Sequence, residues 1–173
     1  MTTIELVRHA QAQPREGWRD RPDRDRPLSD SGRAQAEELG RAILGGGSVE
    51  GCYASPTVRC AQTLEPLAAA TGRPIVEVEA LGEVRTVPIT DGGSAWVASA
   101  WLGGRAIAFV DQLTAERRGR RIVICSHGDV VPSLLAVLAG RDGLDLADVR
   151  LDKGTRITLR FDGSRCVEAV HRP

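Results

Sequence analysis

The stretch IELVRHA at residues 4–10 decides the fold of this chain. Residues 4–7 form a mostly apolar run that is typical of a buried strand, and the histidine follows where that strand ends. A second apolar run at 122–125 is followed in the same way by SHG at 126–128. Ligands of parallel α/β sheets bind at the carboxyl ends of the strands. The two histidines are therefore predicted to converge on one chemical site.

Size and charge limit the classes of function. The chain has 173 residues with 42% hydrophobic content, enough for one substantial core, so a single domain over residues 1–173 is predicted. Basic and acidic residues each total 23, so no overall field attracts nucleic acid or a membrane surface. With no signal-like start and no membrane-length apolar run, we expect a cytoplasmic protein. Composition leaves the oligomeric state open.

The four cysteines are expected to be reduced and structural. They show no CxxC spacing, and one of them lies inside the apolar run at 122–125: Cys52, Cys60, Cys125 and Cys166. No cofactor and no metal ion are predicted.

The order of elements predicts a three-layer α/β/α fold in which helices cover both faces of a mostly parallel sheet. Turn and capping residues mark the elements. The predicted helices are 29–45, 55–70 with Ser55 as N-cap and Pro56 as first residue, 94–117 with an interruption at Gly103 and Gly104, and 130–138; the predicted strands are 4–7, 49–53, 75–78, 122–125 and a hairpin turning at 162–164. Residues 80–93 are predicted to form a loop.

Residues 14–27 have the least usual composition in the chain. Five arginines alternate there with four acidic residues, which favours a solvated, ion-paired surface loop. One of these arginines could instead turn inward to a phosphate.

Candidate chemical groups follow four successive predicted strands: Arg8 and His9, then Arg59, then Glu83, then His127. Arginines suit a phosphoryl group, because their planar forks donate paired hydrogen bonds to its oxygens. Nearby arginines also disfavour a protonated imidazole, which leaves a ring nitrogen of His9 or His127 free to attack phosphorus. Glu83 could protonate the leaving group as general acid. The pattern indicates phosphoryl transfer without a metal.

Five segments resemble the histidine phosphatase superfamily, also called the phosphoglycerate mutase-like family, and the resemblance covers most of the chain. They are LVRHA at 6–10, DRPLS at 25–29, SPTVRCAQT at 55–63, LGE at 81–83 and SHGD at 126–129. The resemblance implies the family's fold. It also implies that His9 is the phosphohistidine nucleophile, that Glu83 is the proton donor and that His127 is the second catalytic histidine. Arg8, Arg59 and His127 would bind the phosphoryl group.

The sequence departs from the family pattern in two places. Ala10 stands where glycine is usual, and residues 85–93 replace the aromatic and glycine-rich continuation after the donor. Glu79 or Asp91 could therefore substitute for Glu83. The chain is short for a mutase, so the resemblance implies a phosphatase that acts on a small phosphorylated metabolite or a phosphoprotein, including a protein phosphohistidine.

Other functions stay open from sequence alone. The chain could bind a phosphorylated ligand without turnover, or act as a phosphoglycerate mutase-type phosphotransferase. A serine hydrolase using Ser126 lacks the glycine two places earlier that its elbow needs. A zinc site on the two histidines would need His171 or Glu83 as a third ligand.

Among the tryptophans, Trp96 is the best candidate for a leaving-group pocket, and His171 is given no role.

Overall fold

Six strands form one mixed sheet in the computed structural model, which describes residues 1–83, 95–147, 149 and 151–172. The sheet order is β3-β2-β4-β1-β5-β6, in which β1 to β4 are parallel and β5 runs antiparallel to both of its neighbours. The strands are β1 (Thr2–Arg8), β2 (Gly51–Ala54), β3 (Ile75–Glu77), β4 (Arg121–Ser126), β5 (Arg156–Asp162) and β6 (Arg165–Arg172); the helices are α1 (Asp30–Gly45), α2 (Val58–Thr71), α3 (Ala95–Glu116) and α4 (Val130–Asp142).

Helices cover both faces of this sheet, as the sequence predicts. Alternate residues of a strand point to opposite faces, and β4 shows this clearly. Ile122 and Ile124 pack in a cluster with α3 and α4, whereas Val123 and Cys125 pack in a second cluster with α1 and α2. The fold prediction of a three-layer α/β/α architecture is confirmed.

The start of α2 differs from the prediction. The N-cap is Thr57 and the helix begins at Val58, two residues later than the predicted cap at Ser55 and start at Pro56. Ser55 is completely buried, its N–H continues the sheet by donating to Cys125 O at 3.0 Å, and its hydroxyl contacts a histidine ring. Because Ser55 is engaged in this way, the chain turns into the helix two residues on.

The predicted interruption of α3 at Gly103 and Gly104 is wrong, because the helix runs unbroken from Ala95 to Glu116. Gly103 lies where α3 crosses α4. A Cβ atom there would lie 2.7 Å from Val137 Cγ2 and 2.8 Å from Ser133 O, closer than packed atoms approach. The glycine at position 103 thus allows two helices to pack closely rather than ending one of them.

No helix in the described part of the chain is both long and apolar enough to cross a membrane. Of the predicted loop at 80–93, residues 84–93 lie outside the described residues. That residues 1–173 form a single domain stays a prediction.

Candidate active site

The sheet topology brings the two predicted histidines together. Strands β1 and β4 are parallel neighbours whose register pairs Arg8 with Ser126, so the residue after each strand reaches the same edge. The His9 N–H donates to Ser126 O at 2.9 Å. The ring centroids of His9 and His127 lie 5.3 Å apart at an interplanar angle of 66°. Two imidazoles from distant parts of the sequence thus lie edge to face at one edge of the sheet.

His9 is held as a neutral imidazole with one ring nitrogen already engaged. Its Nδ1 lies 2.7 Å from Ala10 O, so the neutral ring donates from Nδ1 and keeps its lone pair on Nε2. Burial lowers the pKa of His9 to about 4, and the charges of His127 and Arg59 add to this effect. The arginines were expected to keep this ring neutral, but burial is the larger cause.

His127 lies in a different environment and favours the protonated form. The ring is completely buried, with Nε2 2.7 Å from Ser55 Oγ and 3.6 Å from Cys60 Sγ. Its Nδ1 lies 3.3 Å from Glu83 Oε1, an ion contact without hydrogen-bond alignment. Burial is the largest single effect and lowers the pKa of His127, but Cys60 and the Glu83 carboxylate together outweigh it and raise the pKa to about 9. At neutral pH the site thus pairs a neutral imidazole with a cationic one.

Arg59 reaches the site from the first turn of α2, where the sequence places it, and its side chain is completely buried. Its guanidinium donates to Asp23 O at 2.8 Å, lies 3.3 Å from Asp23 Oδ2 and forms an ion pair with Glu83. Thr63 Oγ1 donates to Arg59 O at 2.7 Å and accepts from Ala10 N–H at 3.0 Å. That hydroxyl links the turn after His9 to the helix that carries Arg59.

Arg8 is the last residue of β1 and lines the cleft beside His9. Its guanidinium donates to Leu151 O and lies against Gly128. A Cβ atom at position 128 would lie 2.7 Å from Arg8 Nη2, so a larger residue there would displace the guanidinium. The glycine of the SHGD segment therefore leaves room for Arg8 in its present position.

Glu83 lies between Arg59 and His127, with one carboxylate oxygen toward each cation. Burial acts to raise its pKa, but the contact with His127 and the charge of Arg59 outweigh burial and lower the pKa to about 2. In the free protein the carboxyl is thus ionised, unlike the general acid predicted from sequence. Of the alternative donors, Glu79 forms part of the short helical turn Glu79–Leu81, and Asp91 lies outside the described residues.

Three cationic side chains of the site carry buried donors with no hydrogen-bond partner in the protein. These atoms are Arg8 Nε, Arg59 Nε and His127 Nδ1. Most buried donors in folded proteins are paired, and an unpaired one costs about 1–3 kcal/mol. Oxygens of a bound anion are one kind of partner that such donors can take. The same three residues are the ones predicted from sequence to hold a phosphoryl group.

The arginine-rich segment at 14–27 takes part in the site, so its interpretation as a solvated loop is wrong in part. Arg26 is only 7% exposed; it donates to Asp23 Oδ1 at 2.8 Å and to Gln13 O at 2.7 Å. Asp23 in turn holds Arg59. The open cleft above His9, about 510 Å³ in volume, is lined in part by Arg8, Gln11, Arg15 and Arg26.

A sequence model of the histidine phosphatase superfamily (branch 1) matches residues 4–92 and 99–172. The chain belongs to the histidine phosphatase superfamily. An 8-oxo-(d)GTP phosphatase of Mycolicibacterium smegmatis is 33% identical to it over 133 residues. That match covers 77% of this chain but 36% of the relative, so the chain spans about a third of the relative's length.

Solved structures share the fold of this superfamily member. Bacillus stearothermophilus YhfR has a TM-score of 0.77 at 21% identity, covering 96% of this chain and 94% of its own. Phosphoserine phosphatase from Entamoeba histolytica has a TM-score of 0.75 at 18% identity, with 100% and 98% covered. The protein histidine phosphatase SixA has a TM-score of 0.66 at 20% identity, with 98% and 94% covered.

The structure also bears on the alternative sites. Ser126 is completely buried and donates to Leu81 O at 2.8 Å, which removes it as an exposed nucleophile. Within the ranges that the structure describes, no three or more His, Cys, Asp or Glu side chains are grouped to hold a metal ion. All four cysteines are free and buried, but Cys60 contacts His127 rather than only filling the core. Because Cys60 directly follows Arg59 in the sequence, its position could have indicated that it lies close to the site.

The tryptophans differ from expectation. Trp96, the candidate for the leaving-group pocket, is 74% exposed. Trp101 instead stacks with Arg105, whose guanidinium carbon lies 4.4 Å from the ring centroid, and lines a second cavity of about 280 Å³ that reaches Glu83. Both tryptophans lie in α3, and the sequence alone does not show which of them faces the cavity.

Proposed function

We propose that this chain is a metal-independent, histidine-dependent phosphatase that hydrolyses phosphomonoesters through a covalent phosphohistidine on His9. The observation that carries the proposal is the set of unpaired buried donors on Arg8, Arg59 and His127 around a neutral His9. Such donors bind the three non-bridging oxygens of a phosphoryl group, and the neutral imidazole is the form that can attack it. Superfamily membership agrees with this chemistry.

In the first step, the lone pair on His9 Nε2 attacks phosphorus, a nitrogen–phosphorus bond forms, and the bond from phosphorus to the leaving oxygen breaks. The hydrogen bond from Nδ1 to Ala10 O sets the tautomer, aims Nε2 and stabilises the positive charge that develops on the ring. Arg8, Arg59 and protonated His127 stabilise the charge on the non-bridging oxygens in the transition state. These three cations therefore supply the charge stabilisation that a metal ion supplies in metal-dependent phosphatases.

Glu83 exchanges protons in both steps of the proposal. In the free protein its pKa is about 2 because Arg59 and His127 contact it. A dianionic substrate would take up those cations and bring its own negative charge, and both changes raise the pKa of the carboxyl. Glu83 can then protonate the leaving oxygen. In the second step its carboxylate takes a proton from water, which attacks phosphorus and releases His9 and phosphate.

The proposed substrate is a small phosphorylated metabolite or a phosphoprotein. The relatives support both classes by name, since they include an 8-oxo-(d)GTP phosphatase, a phosphoserine phosphatase and a protein histidine phosphatase. The cleft is open enough, at about 510 Å³, for either a small molecule or a protruding side chain. A cytoplasmic location, with no nucleic-acid or membrane partner, stays part of this proposal.

Hydrolysis of p-nitrophenyl phosphate tests the proposed function. The native chain is expected to release phosphate in multiple turnovers, and saturating EDTA is expected to leave kcat and KM unchanged. Turnover that disappears with EDTA and returns with a divalent cation would contradict the metal-independent mechanism. Tight binding of inorganic phosphate without any turnover would support the alternative of a phospho-ligand binding protein.

A further inference from the structure

The chain contains a single lysine. Of the 23 basic residues, 22 are arginine, and the one lysine, Lys153, lines the cleft above His9. Lysine and arginine differ as ligands, because the ammonium group is a compact point charge on a flexible stem. In a chain that uses arginine at every other basic position, the single lysine thus lies on the side of the cleft that is also lined by Gln11, Arg15 and Arg26.

The backbone holds Lys153 next to the nucleophile. The N–H of the following residue, Gly154, donates to Arg8 O at 3.1 Å and to His9 O at 3.3 Å. Gly154 has φ of +77°, a conformation that favours glycine, and Thr155 closes the turn by donating to Asp152 O. The turn that carries Lys153 is thus fixed to the strand end that carries the two catalytic candidates.

The ammonium group of Lys153 has a neutral partner and cationic neighbours. Its Nζ donates to Gln11 Oε1 at 3.1 Å. Burial lowers the pKa of Lys153, and the charges of Arg8, Arg26 and Arg15 lower it further. Among the described residues, the ion pairs within 4.0 Å include neither Lys153 nor Arg8.

Two of the arginines that line the cleft beside Lys153, Arg15 and Arg26, are partly neutralised by Asp23. Asp23 lies 2.8 Å from Arg26 Nε and 3.8 Å from Arg15 Nε. Arg8 is assigned by the proposed function to the phosphoryl group that reacts. That leaves Lys153 as a positive charge beside the reaction site that the mechanism does not use and that is repelled by its neighbours. An anion at this position would relieve the repulsion.

We infer that Lys153, together with Gln11, binds a second oxyanion group carried by the leaving group of the substrate, a phosphate or a carboxylate. This inference rests on the proposed function, since it places the second group relative to a phosphoryl group bound at His9. It narrows the substrate to a doubly anionic compound, such as a diphosphate ester or a phosphorylated acid. A phosphomonoester with a neutral leaving group would bind only through its phosphoryl group at His9 and would not contact Lys153.

Binding of non-hydrolysable probes to the native chain in EDTA tests this inference without turnover. Calorimetric titration would compare methylphosphonate, which has one oxyanion group, with methylenediphosphonate and phosphonoacetate, which carry a second phosphonate or a carboxylate. We expect the native chain to bind at least one doubly anionic probe about tenfold more tightly, the effect of one charge-assisted hydrogen bond. The preferred probe identifies the second group as phosphate-like or carboxylate.

Matched variants assign the effect to the lysine. Lys153→Met is expected to abolish the preference while the Kd of methylphosphonate stays within about twofold, and Lys153→Arg is expected to keep most of it. Arg41→Met removes an exposed cation of α1 and should change nothing. Equal affinity of the native chain for all three probes, or equal weakening of all three by Lys153→Met, would overturn the inference. Failure to bind methylphosphonate at all would count against the proposed function itself.

Discussion

Replacing His9 by alanine is expected to reduce kcat for p-nitrophenyl phosphate by at least about 10⁴-fold, since removing a nucleophile removes the covalent pathway. This corresponds to about 5.5 kcal/mol of transition-state stabilisation. In the structure His9 is the imidazole with a pKa of about 4 and a hydrogen-bonded Nδ1, so its Nε2 is the unprotonated nitrogen at neutral pH. Steady-state kinetics of the purified variant in EDTA measures the effect.

The chain provides its own control for this substitution. It has three histidines, and His171 lies in β6, two strands away in the sheet from β1, the strand that precedes His9. His171→Ala should keep kcat within about twofold, as expected for a position away from the reacting atoms. The His9→Ala variant should also bind inorganic phosphate with a Kd within about threefold of native, because the oxyanion donors stay in place. A His9→Ala variant with near-native kcat would refute the mechanism.

Replacing Arg59 by methionine is expected to lower kcat/KM for p-nitrophenyl phosphate by about 10³-fold, near the upper end for loss of one preorganised oxyanion donor. The guanidinium is completely buried and carries an unpaired Nε. Its removal also leaves Glu83 with His127 as the remaining cation beside it, so the pKa of that carboxyl would rise. Because Glu83 must be protonated to act as general acid in the substrate complex, the alkaline limb of the kcat profile should therefore move to higher pH in this variant.

Further variants separate a binding role of Arg59 from a purely structural one. Arg59→Lys keeps the charge but not the planar fork, and a loss of about 10²-fold is expected. Added guanidinium chloride at low millimolar concentration should restore part of the activity of Arg59→Ala and none of His9→Ala. Arg41→Met serves as the exposed control. If Arg59→Met stayed within tenfold of native while remaining folded in a thermal melt, Arg59 would not bind the phosphoryl group.

The sequence predicts well where His9, His127 and Arg59 lie in the fold, because the strands and the helix that carry them are indicated by local sequence patterns. Apolar runs that end at His9 and His127 fix where two parallel strands deliver their histidines, and strand neighbours in register bring the rings to 5.3 Å. The position of Arg59 in a first turn follows from the helix that begins shortly after Pro56. Such features need only chain-local patterns and one topology rule.

The rest of the site depends on contacts between residues that are distant in sequence. Asp23 holds Arg59 across 36 positions, and Lys153 reaches Gln11 across 142, so no periodicity indicates either contact. The lowered pKa of Glu83 results from its contacts with His127 and Arg59, which come from other parts of the sequence. Capping at Ser55 failed as a prediction for the same reason, because a buried ring competes for its hydroxyl.

The central claim is that the phosphoryl group passes through His9. Rapid quenching in alkali of the native chain turning over radiolabelled p-nitrophenyl phosphate tests it most directly, since a phosphohistidine survives alkali and is lost in acid. We expect an alkali-stable, acid-labile label on the protein, mapped to the peptide that contains His9 and absent from His9→Ala. Label on another residue, or p-nitrophenol release at the native rate with no labelled protein, would contradict it.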